Sequence, residues 1–206
     1  MMKDLKYLVA IHRALGLTFL RYKKLSPFFA SDWQKVWNAN LSQLMQTGIK
    51  AKDIERFVTN RSNIDPEKEL ENLQKIGVEV LFYENDNFPT QLKNIYNPPV
   101  LLFMRGKILP SDFPSISVVG SRAISAYGQR SLEKIVKELS NAGVTIVSGL
   151  ALGTDGLAHK TALENGGRTI AVLGNAIDNI YPFANKKMAE NFLAEEKGAI
   201  LSEYLP

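Results

Sequence analysis

The sequence predicts an α/β protein, a small helical bundle followed by a doubly wound, mostly parallel sheet. Three strand–turn–helix junctions in the last third of the chain carry that reading. Ser117-Val118-Val119-Gly120-Ser121-Arg122 is the first, and Thr145–Lys160, with Ser148-Gly149-Leu150-Ala151 and Gly153-Thr154-Asp155, is the second. The third is Thr169-Ile170-Ala171-Val172-Leu173-Gly174-Asn175-Ala176. Each strand is nearly all apolar, the pattern of a parallel sheet covered by helices on both faces. The loops leaving the carboxyl ends of such strands gather along one edge, where ligands bind. Backbone amides with Arg122, Asp155, His159 and Lys160 beside them suit phosphate.

Taken in order, residues up to about 63 read as short helices. Leu5, Leu8, Val9 and His12 share one helical face, and Ser31-Asp32 can cap a helix carrying Trp33, Val36 and Trp37. The two tryptophans are most simply core residues. Thr47-Gly48-Ile49 interrupts the pattern, which resumes over Ala51–Val58 with Ile54, Phe57 and Val58. This arrangement is of the kind that includes helix-hairpin-helix and SAM-like modules. Asp65-Pro66-Glu67 supplies a cap, a proline at the first helical position and an acid in the first turn. That helix ends near Ile76-Gly77, Val78–Tyr83 reads as a strand, and Val100–Met104 as another after the Asn97-Pro98-Pro99 turn. Beyond Ser115 the βα alternation forms one parallel sheet by the right-handed crossover rule. The expected division is a helical domain over 1–63 and a sheet domain over 64–206.

Composition narrows the function classes. Of the 206 residues 45% are hydrophobic and 22% charged, with a formal net charge of +4, a mild basic bias compatible with a polyanionic partner. The absence of cysteine removes thiol catalysis, cysteine-ligated zinc and disulfides, and fits a reducing cytoplasm. The N-terminus lacks the apolar core of a signal peptide and no apolar run approaches bilayer length, so the expectation is a cytoplasmic protein away from membranes.

The site residues read as follows. Gly120 lets the chain turn tightly, Ser125 caps a helix with a Leu132, Ile135, Val136 and Leu139 stripe, and Arg122 offers a planar donor fork for phosphate or stands as a solvated loop residue. Neither Gly-x-Gly-x-x-Gly nor a Gly-x-x-x-x-Gly-Lys-Ser/Thr P-loop occurs, so dinucleotide redox chemistry and P-loop hydrolysis lose their usual support. Asp155 and His159 lie one turn apart on a helix and can orient a base or hold a metal. Without a third ligand the structural reading is favoured, with Asp155 as a cap or helix-dipole partner and His159 packed and hydrogen-bonded near it. Lys160 is a candidate phosphate contact at this helix start. Tyr181 can stack on a base or cover the sheet end, and Asn185 can cap a helix carrying Met188, Phe192 and Leu193. No catalytic set, metal site or cofactor is expected.

Together these residues resemble the DNA-processing protein A family (DprA, also called Smf). The matching pieces are Val118–Arg122 with Ser125, Tyr127 and Gly128, then Ser148–Ala151, Gly153-Thr154-Asp155 and Ala158-His159. They continue through Ala162-Leu163, Gly166-Gly167, Thr169–Gly174, Asp178, Tyr181-Pro182 and Ser202-Glu203, with Phe88-Pro89, Leu92 and Pro98–Leu101 upstream. The resemblance implies a SAM-like helical domain followed by an extended Rossmann-like domain. It also implies a non-catalytic factor of natural transformation and recombination that binds single-stranded DNA, protects it and delivers RecA recombinase to it, as a homodimer in the full-length form. By this resemblance Gly120, Ser121 and Arg122 match one wall of the DNA pocket, and Ser148, Gly149 and Ala151 the other, with His159 and Lys160 nearby. The third loop reads Gly174-Asn175-Ala176 where the family usually has another glycine. The family pattern also continues beyond Leu205-Pro206 with a phenylalanine-proline-arginine-asparagine-arginine segment and further strand and helix. The expectation is therefore an incomplete sheet with an unpaired strand ending at Glu203. Two rival readings remain: a nucleotide-cleaving phosphoribohydrolase, whose Pro-Gly-Gly-x-Gly-Thr context Gly166-Gly167 lacks, and a mononucleotide sensor using the same amide cradle.

Overall fold

The computed structural model describes Met2–Pro206, with side-chain surroundings from Asp4 onward. Two compact units divide it, Met1–Leu102 and Phe103–Pro206, and the helical segment expected over 1–63 lies within the first.

In the first unit, caps start the helices at polar residues. The helices are α1 (Met2–Leu15), α2 (Phe19–Phe28), α3 (Trp33–Asn38), α4 (Leu41–Met45), α5 (Ala51–Arg61) and α6 (Pro66–Lys75), followed by strand β1 (Glu79–Phe82) and the short α7 (Thr90–Lys93). Asp32 accepts from the Lys35 amide at 2.9 Å, Asn40 and Gln43 form a reciprocal box, and Asp65 accepts from the Glu67 amide at 3.0 Å. With their ends satisfied, the helices close on an apolar interior that includes Leu8, Val9, Trp33, Val36, Ile54, Phe57 and Leu73. Trp33 and Trp37 are both buried. Lys6–Glu67 and Arg13–Glu69 ion pairs link α1 to α6.

Strand β2 (Leu101–Gly106) leads into the second unit, which continues with β3 (Ser115–Ser117), α8 (Ala126–Asn141), β4 (Thr145–Ser148), α9 (Thr154–Glu164), β5 (Thr169–Leu173), α10 (Lys186–Ala194) and β6 (Gly198–Ser202). The six strands form one sheet in the order β1-β2-β6-β5-β4-β3. The pairs β3–β4, β4–β5 and β5–β6 are parallel, and β2 runs antiparallel to β6 with Phe103 opposite Ser202. This is the expected mostly parallel, Rossmann-like α/β arrangement. Leu132 and Val136 of α8 and Ala158 and Ala162 of α9 bury Ile146 of β4, and His159 of α9 lies against Phe192 of α10, ring centroids 6.4 Å apart.

The structure departs from the sequence reading in three respects. β3 ends at Ser117, short of the Ser117–Gly120 strand read into the first junction; beyond it the Val118 amide donates to the Val147 carbonyl at 2.9 Å and its carbonyl accepts from the Ser148 hydroxyl before the chain turns away. Ile116 of β3 and Val172 of β5 remain 44% and 45% exposed, so these strands are not covered on both faces. β6, which ends one residue before Glu203, is paired on both sides, by β5 and β2. The unpaired strand expected there is absent because β2 returns antiparallel to fill that position, and the open edge on this side of the sheet belongs to β3 instead.

A buried clasp fixes the lead-in to β3. Asp112 is fully buried and accepts from the Leu109 amide (2.7 Å), the Thr145 hydroxyl (3.1 Å) and two nitrogens of Arg168. Arg168 also donates to the carbonyls of Lys107 (2.9 Å) and Glu196. Among the described residues no helix is long and apolar enough to cross a membrane.

Candidate nucleic-acid interface

At the carboxyl ends of β4 and β5 lies a cleft of about 360 Å³, lined by Arg122, Gly149, Ala151, Leu152, Gly174, Asn175, Asn179, Tyr181 and Pro182. Its position follows from the fold: parallel strands deliver their outgoing loops to the same edge.

The β4–α9 loop forms the floor and is held from three directions. The Gly149 amide donates to Asp155 Oδ2 at 3.1 Å, so Asp155, itself buried, closes the loop from the first turn of α9. Leu150 is fully buried at φ 60°, a left-handed conformation that a branched side chain adopts only under constraint. Asn185 Nδ2 donates to the carbonyls of Leu150 and Ala151 at 2.9 and 3.0 Å. Because N–H and C=O are trans across a planar peptide, the amides of Ala151 and Leu152 point away from Asn185. Among the described residues the amides of Leu150, Ala151 and Leu152 take no protein acceptor. They immediately precede α9, whose N-terminal dipole favours negative charge at the same place.

The β3–α8 loop supplies a second wall and is packed onto the start of α9. The Ser121 carbonyl accepts from both the amide and the hydroxyl of Thr154, each at 3.1 Å. Gly153, at φ 72°, meets this wall so closely that a Cβ would sit 2.4 Å from the carbonyl oxygens of Ser121 and Arg122. Gly153→Ala is therefore expected to cost about 1–3 kcal/mol and to displace the two loops relative to each other. A urea-unfolding midpoint unchanged from the parent would refute that contact. Arg122 is exposed, lines the cleft and makes no ion pair among the described residues, so its donors are free for an anion.

The predicted residues separate into those facing the cleft and those behind it. Arg122, Gly149, Ala151 and Tyr181 line it, and Tyr181 is 68% exposed. Gly120 and Ser121 belong to the wall through backbone packing: a Cβ on Gly120 would lie 2.6 Å from Thr154 Oγ1, and Ser121 Oγ accepts from the Ala123 amide at 3.0 Å. Ser148 is buried with its hydroxyl on the Val118 carbonyl at 2.6 Å, tying β4 to the end of β3. His159 is fully buried, its Nδ1 2.6 Å from Thr169 Oγ1. Lys160 is exposed but pairs with Glu164 at 3.7 Å and borders a different depression, with Phe192 and Lys197. The structure thus does not bring His159 or Lys160 to the cleft, and it makes Asp155 a loop clamp, its carboxylate turned to the Gly149 amide. Among the described residues no group of three or more His, Asp or Glu side chains is placed to hold a metal.

Asn175, Asn179 and Asn185 were not read as site residues. Asn175 Nδ2 bonds the Asn179 carbonyl, while the Asn175 carbonyl accepts from Ser202 Oγ at 2.6 Å, which fixes the third loop against β6. A Cβ on Gly174 would meet open space, so close packing does not require glycine there.

The sequence profile of the DNA recombination-mediator protein A family matches residues 79–206. The chain belongs to this family. It is similar to protein Smf of Synechocystis (35% identical over 203 residues, 96% of this chain and 50% of that one) and to protein Smf of Escherichia coli (34% over 197 residues, 90% and 51%). The chain thus spans about half the length of these relatives. Among solved structures, DNA processing protein A from Streptococcus pneumoniae superposes with a TM-score of 0.75 at 33% identity, covering 98% of this chain and 68% of that one. DNA processing protein A from Helicobacter pylori, described as having a unique single-stranded DNA binding mode, gives a TM-score of 0.54 at 31% identity over 63% of this chain and 56% of that one.

Proposed function

We propose that this chain is the single-stranded DNA-binding part of a DNA-processing factor of transformation and recombination, acting without catalysis in the cytoplasm. The carrying observation is the cleft itself, with free amides at Ala151 and Leu152, the unpaired guanidinium of Arg122 and the exposed ring of Tyr181 around one space. Amides and guanidinium see phosphate and not base edges, so binding is expected to show little sequence preference. Tyr181 offers a face on which a base can stack. The single-stranded DNA binding of the Helicobacter pylori relative supports the reading. Protection of bound DNA, delivery of RecA recombinase and homodimer formation are further parts of the proposal, resting on family membership.

An oligo-dT titration monitored by anisotropy tests it. Affinity should fall steeply with salt, and Arg122→Ala should weaken binding by about 1–3 kcal/mol while lowering the salt slope by about 0.7. Lys160→Ala, away from the cleft, should bind like the parent. Arg122→Ala binding at parental affinity, or an affinity flat in salt, would overturn the phosphate-cradle reading. A nucleoside monophosphate held more tightly than oligo-dT would favour a mononucleotide sensor, and its turnover an enzyme.

A further inference from the structure

The helical unit carries a second cavity, of about 290 Å³, lined by Asp4, Leu5, Leu8, Ser31, Trp33, Phe82, Glu84 and Asn85. Its wall is an aromatic stack. Trp33 lies on Tyr22 with ring centroids 5.9 Å apart and an angle of 22°, and Phe82 meets Trp33 edge-on at 6.1 Å. The Tyr22 hydroxyl donates to Glu84 Oε1, which fixes that carboxylate at the cavity; burial first, and then this bond, push the Tyr22 pKa up. Asp4, one turn before Leu8 on α1, adds a second carboxylate. Among the described residues, Lys35 pairs with Asp32 at 3.0 Å, and Lys93 donates to the Asn85 carbonyl at 2.9 Å.

An aromatic wall beside two carboxylates, with Leu5 and Leu8 completing an apolar lining, is complementary to one cation on an apolar stem. The volume lies at the lower end for small-molecule sites and accommodates a single long side chain. From this charge complementarity we infer that the cavity is a docking pocket for a lysine or arginine side chain of a partner protein, independent of the DNA cleft. The negative pocket in a chain of net charge +4 excludes nucleic acid as its occupant.

The test uses the full chain, ¹⁵N-labelled, so that the Trp33 and Trp37 indole N–H signals are read separately. The probes are acetyl-Gly-Arg-Gly-amide, the same peptide with citrulline in place of arginine, and spermidine. The arginine peptide should shift the Trp33 signal saturably and leave Trp37 unmoved, and the citrulline peptide should bind at least about tenfold more weakly. Glu84→Gln keeps an acceptor for the Tyr22 hydroxyl and so preserves the wall; it and Asp4→Asn should each weaken the arginine peptide by about tenfold without affecting oligo-dT binding. Equal binding of the citrulline peptide, parental binding by both variants, or no Trp33 shift would overturn the proposal. Spermidine binding more tightly than the arginine peptide would overturn the protein source and assign the pocket to free polyamines.

Discussion

Asp112→Asn is expected to destabilise the sheet unit by about 3–5 kcal/mol, because it removes the fully buried charge of an ion pair and leaves the partly buried Arg168 without its counter-charge. The carboxylate of Asp112 is inaccessible to solvent and is surrounded only by donors: the Leu109 amide, the Thr145 hydroxyl and two nitrogens of Arg168. Asparagine is isosteric, but its NH₂ would face either the Thr145 hydroxyl and Arg168 Nε or the Leu109 amide and Arg168 Nη2, donor against donor in both orientations. The Arg168 side chain is 19% exposed and would keep only its bonds to the Lys107 and Glu196 carbonyls. The exposed Lys160–Glu164 pair is the comparison: Glu164→Gln should cost under about 1 kcal/mol. Urea unfolding followed by circular dichroism measures both. A loss for Asp112→Asn no greater than for Glu164→Gln would show that the clasp contributes nothing beyond a surface pair.

That clasp also marks the limit of what the sequence makes legible. Capping is local, so Asp65, Asp32 and Ser125 could be placed at helix starts from their neighbours alone, and each accepts the expected amide hydrogen bond. The apolar strands Thr145–Ser148 and Thr169–Leu173 were equally visible, because burial shows in composition. Asp112 and Arg168 are 56 residues apart, and nothing in Pro110-Ser111-Asp112 distinguishes a buried acid from a turn residue. The antiparallel return of β2 beside β6 was hidden for the same reason: pairing between segments almost a hundred residues apart leaves no periodic trace in either.

The site shows the same division at finer scale. The glycine-bearing loops announced the cleft, but which groups face it depends on how each loop is tied back. Asn185 looked like a cap for α10; instead its amide holds two loop carbonyls and makes no capping bond. Asp155, read from the sequence as standing beside the phosphate site, instead takes up the Gly149 amide. In both cases a polar side chain is recruited to orient backbone, a role that residue type alone does not reveal. Lys160 shows the converse, since its place in the first two turns of α9 suggested a phosphate contact while its helical azimuth directs it to Glu164.

His159 carries the last expected effect, on stability against pH. Thr169 Oγ1 donates to the Ile146 carbonyl at 2.8 Å, so its oxygen is left to accept from His159 Nδ1–H at 2.6 Å. Nε2 is then the unprotonated nitrogen, buried and without a hydrogen-bond partner. A proton added there would place a charge between α9, β4 and the Phe192 ring, out of reach of water. Burial accordingly pushes the His159 pKa down from 6.5 to about 4, with the Ser148 backbone acting in the opposite direction. The unfolded chain takes up this proton more readily than the folded one, so the contribution is complete above about pH 6.5 and is lost progressively as the pH falls towards 4. The difference corresponds to about 3 kcal/mol across that interval. Charged residues packed elsewhere also titrate there, so the informative quantity is the difference between the parent and His159→Asn, which retains a polar atom near Nδ1 but cannot be protonated. Unfolding free energies measured at pH 7.5, 6, 5 and 4 should converge on acidification, the parent losing about 3 kcal/mol more than the variant. Parallel curves would mean that His159 keeps an ordinary pKa, which would require water or a counter-charge to reach the buried Nε2.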